Sequence, residues 1–360
     1  MRIAFDEQIF AIQGFGGISR LFAELAKQFA TQVDLDVQLE PIHAPVINRY
    51  LLDNPELTQY LDVWPARSEW HALARYFTRM RPRMNVDIVH NTFYLPHGLA
   101  GYPRARRVVT VHDMIPEQMP QTRRRLDFIT LKKRYVTSAD HVICVSEYTR
   151  QDLYQTYGDI KAPVSVVHHG VDPLFMPGAA RIEDFPERYV VFVGNRGQYK
   201  DADVLMTAFA KLEDHDLSLV FVGGGQFTTE ESRRIRSLGI EDRTIQRALP
   251  DALMPAAYGN AVLCVFPSRF EGFGLPALEA MACNTATVLA NATSLPEVGG
   301  EAARYFTPGE AGELAEVMHE LLIDETQREA LAQAGLERAK TFSWRASASA
   351  TANVYRSTLQ

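Results

Sequence analysis

The sequence predicts an α/β chain of two doubly wound lobes, and three observations predict it. At 360 residues the chain exceeds what one hydrophobic core usually serves, so two domains are expected. A short apolar strand runs into a glycine turn and then a helix twice over. The first instance is Arg2 to Phe5 before Gly14-Phe15-Gly16-Gly17, and the second is Tyr189 to Val193 before Gly194. Other apolar runs end on polar residues, and ligands of open α/β sheets bind just beyond the carboxyl ends of strands. The expected boundaries are 1–174 for the first lobe, 175–342 for the second and 343–360 for a last helix. The interdomain linker is placed at Pro177 to Pro186, which holds Gly178, two alanines and mixed charges.

Composition narrows the function classes. The net charge is −7, with 20 Lys/Arg against 19 Asp/Glu up to Leu174, leaving 17 against 25 of the 37 and 44 beyond it. A neutral half and an acidic half argue against nucleic-acid binding, which usually wants a strongly basic domain. Cys144, Cys264 and Cys283 sit in apolar surroundings without metal-ligand spacing, and they read as free core thiols of a reducing cytosol. No signal peptide or spanning apolar run is visible, so the chain is expected in the cytoplasm, with any membrane contact made from the side.

The elements follow in order. After the first glycine turn, Ile18, Leu21, Phe22, Leu25 and Phe29 fall on one helical face. Residues 31–100 carry little chemical information apart from a strand at Val86 to His90. Arg107 to Val111 is a β-branched strand that delivers His112 and Asp113 at its carboxyl end, Asp113 being equally able to cap the next turn. Two basic stretches interleave with apolar residues: Arg75, Arg79, Arg81 and Arg83 near Trp70 and Phe77, then Arg123 to Arg125 and Lys132 to Arg134. Solvated helix faces explain both, and contact with anionic lipid or an acceptor's phosphate is the functional alternative. His141 to Val145 is a strand, and the hydroxyls of Ser146 and Thr149 are placed to cap the helix behind it. Val164 to Val167 closes the first sheet before His168-His169-Gly170.

In the second lobe Arg196 and Lys200 flank the turn that follows Val193, with Asp201 as the expected N-cap of the next helix. Two fixed cations beside a glycine turn suit a diphosphate, though surface cations are common on any such turn. Leu217 to Val222 is a strand closed by Gly223-Gly224-Gly225, and Ile245 to Pro250 follows a polar helix. Leu314 to Leu322 and Arg328 to Lys340 read as amphipathic helices. Three Asp-x-Asp triplets, at Asp34, Asp201 and Asp214, read as surface, and no metal or other cofactor is expected.

Residues 266–283 organise the rest. An apolar run reaches Phe266, a turn holds Arg269 and Glu271, and Gly272-Phe273-Gly274 precedes a helix opened by Leu275 and Pro276, with Pro276 read as its first position. Free N–H groups at a helix start attract phosphate. Glu271 and Glu279, eight apart, can both face one crevice, and two carboxylates beside an anion cradle suit a nucleotide sugar. Asn284 tolerates the left-handed cap that ends this helix.

Glu271 and Glu279, within this glycine-proline context and followed by Ser294-Leu295-Pro296-Glu297-Val298, resemble the Glu-X7-Glu motif of retaining glycosyltransferases of family four. That resemblance implies the GT-B architecture of two Rossmann-like domains, with the last helix crossing back onto the first. It implies that Arg196 and Lys200 hold the donor diphosphate and that Gly272, Phe273, Gly274 and Leu275 lie along it. Glu279 would bond the ribose, while Glu271 and His112 would lie by the transferred sugar, with Asp113 alongside. Gly16 and Gly17 would face donor or acceptor, and the backbone of Arg247, Ala248 and Leu249 would read the base. Three positions depart from the family pattern: His169 and Asn284 replace its usual Asn and Gly, and Ala286 replaces a frequent Pro.

The resemblance further implies transfer without a metal from a nucleoside diphosphate sugar, GDP-mannose first and a UDP-sugar second. The acceptor would be a glycan or lipid-linked oligosaccharide of cell-surface polysaccharide, met at the inner face of the membrane. A nucleotide-sugar epimerase of the same fold and a silent nucleotide-sugar-binding subunit are the competing readings.

Overall fold

The computed structural model describes residues 1–42, 45–55, 57–58, 64–66, 85–96, 98, 102–119 and 126–360. Two compact units result, Met1–Gly170 with Trp344–Gln360, and Val171–Ser343. The stretch expected as linker, 177–186, belongs to the second unit and is tied to it. Asn260 donates to the Ala179 carbonyl at 3.1 Å, Arg181 donates to the Pro186 and Glu187 carbonyls, and Phe185 packs edge-on against Tyr189.

The first unit holds β1 (Arg2–Phe5), β2 (Gln38–Leu39), β3 (Ile88–Asn91), β4 (Arg106–Val111), β5 (His141–Cys144) and β6 (Val164–Val166). They form one parallel sheet in the order β2-β1-β3-β4-β5-β6, which reverses direction between β1 and β3. Helix α1 (Gly17–Thr31) buries Leu21, Phe22, Leu25 and Phe29, the expected face, and sets Phe22 edge-on to Phe5 at 5.3 Å. Helix α2 (Leu126–Thr137) precedes β5. Helix α3 (Glu147–Tyr157) starts at Ser146, whose Oγ accepts the Thr149 N–H at 3.0 Å. Such a cap contributes about 1 kcal/mol.

The second unit holds β7 (Tyr189–Val193), β8 (Ser218–Val222), β9 (Thr244–Arg247), β10 (Leu263–Phe266), β11 (Thr287–Ala290) and β12 (Arg304–Phe306). This sheet is also parallel, in the order β9-β8-β7-β10-β11-β12, and it reverses direction between β7 and β10. Val190 to Phe192, Leu219 to Phe221 and Leu263 to Val265 are all fully buried. Unbroken apolar runs of this kind mark parallel strands covered on both faces. The covering helices include α4 (Ala202–Ala210), α5 (Thr229–Ser237), α6 (Met254–Gly259), α7 (Leu275–Ala282), α8 (Ala311–Ile323) and α9 (Glu325–Ala339). All three cysteines are free and buried, and burial pushes the Cys144 and Cys283 thiols up to about 12.

Helix α10 (Trp344–Leu359) belongs to the first unit. Its fully buried Tyr355 hydroxyl lies 2.7 Å from His90 Nδ1, and His90 Nε2 lies 2.8 Å from Thr110 Oγ1. One imidazole thus joins β3, β4 and α10. Burial pushes His90 down to about 3, and burial followed by the charge of His168 does the same to His169.

An acid sensitivity follows. Above pH 6.5 both folded and unfolded histidines are neutral. Below it only the unfolded chain takes the proton, until pH nears 3, so stability present above 6.5 is lost as pH falls. Each group costs about 1.4 kcal/mol per pH unit in that window. The unfolding free energy from urea titration should therefore drop by about 2 kcal/mol for each of His90 and His169 between pH 7 and pH 5. A flat stability profile over that range would show that these rings do not stay neutral when buried.

The basic stretches part company. Lys133 and Arg134 are exposed, as solvated residues should be, but Lys132 is not: it is 1% exposed. Its Nζ donates to the Asp113 carbonyl and to Glu117 Oε2 at 3.1 Å, while Tyr157 donates to Glu117 Oε1 at 2.5 Å. Lys132 therefore faces neither water nor lipid. Trp70, Arg75, Phe77, Arg79, Arg81, Arg83 and Arg123 to Arg125 lie outside the described residues. Among the described residues no helix is long and apolar enough to cross a membrane.

Candidate nucleotide-sugar site

Where β7 and β10 part, the loops leaving their carboxyl ends run side by side, the arrangement that makes a crevice in an open parallel sheet. Gly194 to Asp201 leaves β7, and Pro267 to Gly274 leaves β10. They are joined three times. Arg269 N–H donates to the Tyr199 carbonyl at 2.8 Å, Arg269 Nε to Asp201 Oδ2 at 2.5 Å, and Lys200 Nζ to Glu271 Oε1 at 2.6 Å. Lys200 and Glu271 are 12% and 11% exposed, so the pair sits at a rim that water still reaches. Asp201 stands at the start of α4 with φ 51°, and its carboxylate goes to Arg269 rather than to the helix amides. Asp201 thus holds the expected N-cap position, but its carboxylate serves a loop-to-loop tie instead of capping.

Arg196 does not join Lys200. Its side chain is 3% exposed, and its donors are spent inward. Nε reaches Glu231 at 2.7 Å, and the two terminal nitrogens reach the carbonyls of Gly223, Gly224, Gly225 and Gln226 at 3.0–3.3 Å. The guanidinium also stacks 4.9 Å from the Phe227 ring centre. The turn after β8 can wrap it because Gly224 takes φ +70° and has no Cβ, which would meet Arg196 at 2.7 Å. In this structure the arginine expected at the phosphate braces the triple-glycine turn.

Helix α7 opens from Gly274 at φ +105°, with Leu275 first and Pro276 second, one position later than the sequence suggested. Proline has no N–H to waste in this first turn, and the Ala277 N–H folds back to the Gly274 carbonyl. At the far end Asn284 takes φ +60°. The Thr285 N–H reaches the Ala280 carbonyl and the Asn284 N–H reaches that of Met281, which makes the expected left-handed cap. Glu279, one turn into α7, is 7% exposed and accepts the Tyr258 hydroxyl at 3.0 Å. Burial and then the Glu279 charge hold that phenol well above its usual range, so it stays a donor. Arg247 ends β9, and its guanidinium donates to the Gln246 carbonyl at 3.0 Å. Ala248 beyond it is exposed and Leu249 half-buried.

Three further contributors appear, of which only Ser294 was marked in the sequence, through its motif. The Thr293 Oγ1 accepts the Glu271 N–H at 3.0 Å, and Ser294 Oγ lies 3.0 and 2.9 Å from the Glu271 and Phe273 carbonyls. Ser268, between β10 and Arg269, is fully buried, and its Oγ has no hydrogen-bond partner among the described residues.

In the first unit His112 follows β4, edge-on to Phe22 at 6.1 Å. Burial, then the charges of His169, His90 and Lys132, hold its pKa well below the usual imidazole value, so the ring is neutral at pH 7. Neither ring nitrogen has a partner among the described residues. A buried neutral imidazole in that state offers one donor and one acceptor to a bound molecule. Asp113 is occupied structurally: its Oδ1 accepts the Ile115 N–H at 3.0 Å. Gly16 and Gly17 open α1, where Gln13 Oε1 accepts the Ser19 N–H at 2.9 Å.

Two doubly wound parallel sheets, one with a paired cation and carboxylate at its switch point beside a glycine-led helix, are what a GT-B glycosyltransferase would present. Comparison with known proteins agrees. Residues 15–174 match the family model for Glycosyltransferase Family 4, and residues 181–338 match that for Glycosyl transferases group 1. The chain belongs to this glycosyltransferase family. It is 31% identical over 297 residues to the MMP alpha-(1->4)-mannosyltransferase of Mycolicibacterium hassiacum, covering 76% of this chain and 71% of that one. It is 28% identical over 282 residues to O-antigen chain mannosyltransferase B of Escherichia coli, covering 73% and 72%. Among solved structures, HepE of Anabaena in complex with UDP-glucose superposes with a TM-score of 0.77 at 20% identity, covering 99% of this chain and all of that one.

Proposed function

We propose that this chain is a retaining, metal-independent hexosyltransferase. It would move a sugar from a nucleoside diphosphate sugar, GDP-mannose foremost, to a hydroxyl of a glycan or lipid-linked oligosaccharide in cell-surface polysaccharide synthesis. The observation that carries the reading is the Lys200–Glu271 pair at 2.6 Å, held at the β7/β10 switch point beside the start of α7. Departure of the sugar leaves negative charge on the diphosphate. The Lys200 ammonium and the dipole of α7 stabilise it, which is the work a metal would otherwise do. Glu271 is then left beside the transferred sugar, and Glu279 accepts from the ribose. His112, neutral and with neither ring nitrogen partnered among the described residues, would orient the sugar through hydrogen bonds. The departing phosphate oxygen takes the acceptor's proton, so no side chain acts as base.

The mannosyltransferase names of two relatives support mannose as the sugar, while the UDP-glucose held by HepE supports a UDP-sugar as the second reading. Calorimetric titration of GDP against UDP, with and without Mg²⁺, separates them. GDP is expected to bind more tightly, with an affinity that Mg²⁺ does not change. Tighter binding of UDP would transfer the reading to UDP-sugars, and binding that requires Mg²⁺ would overturn metal independence. A new nucleotide sugar formed from the donor alone would point to the epimerase.

A further inference from the structure

Thr293 has a backbone that its side chain disfavours. Its φ is +52°, a region that β-branched residues almost never occupy, and it lies three residues past the end of β11 on the loop facing Glu271. Asparagine, aspartate or glycine would take this φ at lower cost. What threonine supplies there is a hydroxyl. Its Oγ1 accepts the Glu271 N–H at 3.0 Å, and the next residue, the fully buried Ser294, offers its hydroxyl to the Glu271 and Phe273 carbonyls at 3.0 and 2.9 Å. The peptide groups on both sides of Glu271 are therefore gripped by consecutive side chains of one loop. The Glu271 carboxylate, on the same residue, meets Lys200 at 2.6 Å.

We infer that Thr293 is a positioning residue for Glu271, its strained backbone kept because it aims the hydroxyl that fixes the Glu271 peptide and so the reach of its carboxylate. The inference rests on the proposed transferase reading for its consequence in turnover, but not for the grip itself. Strain that persists where a less strained residue would fit points to a role for the side chain.

The test uses the full chain and three variants. Thr293→Val keeps the branched shape and removes the hydroxyl, Thr293→Ser keeps the hydroxyl and removes the branch, and Thr293→Gly takes the left-handed φ freely without a hydroxyl. Amide exchange at Glu271 is followed by mass spectrometry, and turnover of GDP-mannose (UDP-glucose if UDP binds more tightly) is measured alongside nucleotide affinity. Losing one hydrogen bond should speed Glu271 exchange by about 10-fold in the valine and glycine variants but not in the serine variant. Misplacing the carboxylate by about 1 Å should cost kcat up to about 10²-fold in the same two. Nucleotide affinity should stay near wild type in all three, a split that general loosening of the fold would not produce. Should valine fail to fold, glycine carries the comparison. Wild-type exchange at Glu271 in the glycine variant overturns the grip. Faster exchange with wild-type kcat overturns its role in positioning. Faster exchange in a chain whose wild type turns over no donor leaves the grip standing and removes the transferase reading instead.

Discussion

Replacing Lys132 by methionine is expected to cost about 3–5 kcal/mol of stability, the range found when one partner of a buried ion pair is removed. The pair is Lys132 with Glu117, at 3.1 Å, with side chains 2% and 3% exposed. Methionine fills much of the same volume, so the loss is not chiefly a cavity. It comes from leaving the Glu117 carboxylate buried with, among the described residues, the Tyr157 hydroxyl alone to serve it, and the Asp113 carbonyl without the Lys132 donor. A solvated lysine on a helix face would lose about 0–1 kcal/mol for the same change. Urea unfolding of the single variant separates the two cases: a loss below about 1 kcal/mol would return Lys132 to the surface. Changing Glu117 to methionine in the same chain should recover part of the loss, because an uncharged pair pays no desolvation. The effect reaches the site through geometry, since Lys132 and Glu117 together stake down the residues that directly follow His112.

What could be read from the chain and what could not divide along a physical line. Local preferences were legible. The left-handed cap at Asn284 follows from one residue's tolerance of positive φ, and the Ser146 cap from one hydroxyl before a helix. The strands that present Lys200 and Glu271 were legible as apolar runs, but the contact between the two side chains was not. Contacts with partners far away in sequence were not legible. Arg196 sits at a glycine turn, as a phosphate arginine would, yet its acceptors are carbonyls of the turn after β8, 27–30 residues on, and nothing local announces them. Lys132 stands among exposed cations and differs from them only because Glu117 comes to meet it from the loop after β4. Thr293 could not have been found at all from preference, since threonine is among the residues least expected at its φ.

Lys200→Ala is expected to lower turnover by about 10²–10³-fold, roughly 2.7–4 kcal/mol of transition-state stabilisation, with the fold intact. The argument turns on where the charge is needed. With Arg196 enclosed by the triple-glycine turn, Lys200 is the cation of the predicted pair left at the rim, and it already has a carboxylate partner there. On the proposed reading, Glu271 holds the ammonium in place before donor binds, and an arriving diphosphate, the stronger anion, would compete for it and release Glu271 toward the sugar. Glu271→Ala should therefore lose turnover on the same scale, but for a different reason, and the two should separate in nucleotide affinity. Removing Lys200 should weaken binding of the free diphosphate. Removing Glu271 should leave that binding unchanged or tighten it, because its carboxylate no longer competes for the ammonium. Measured with the donor that titration selects, near-wild-type turnover in either variant would remove the pair from the chemistry. Parallel losses of nucleotide affinity in both would mean that the pair builds the loop rather than serving the leaving group.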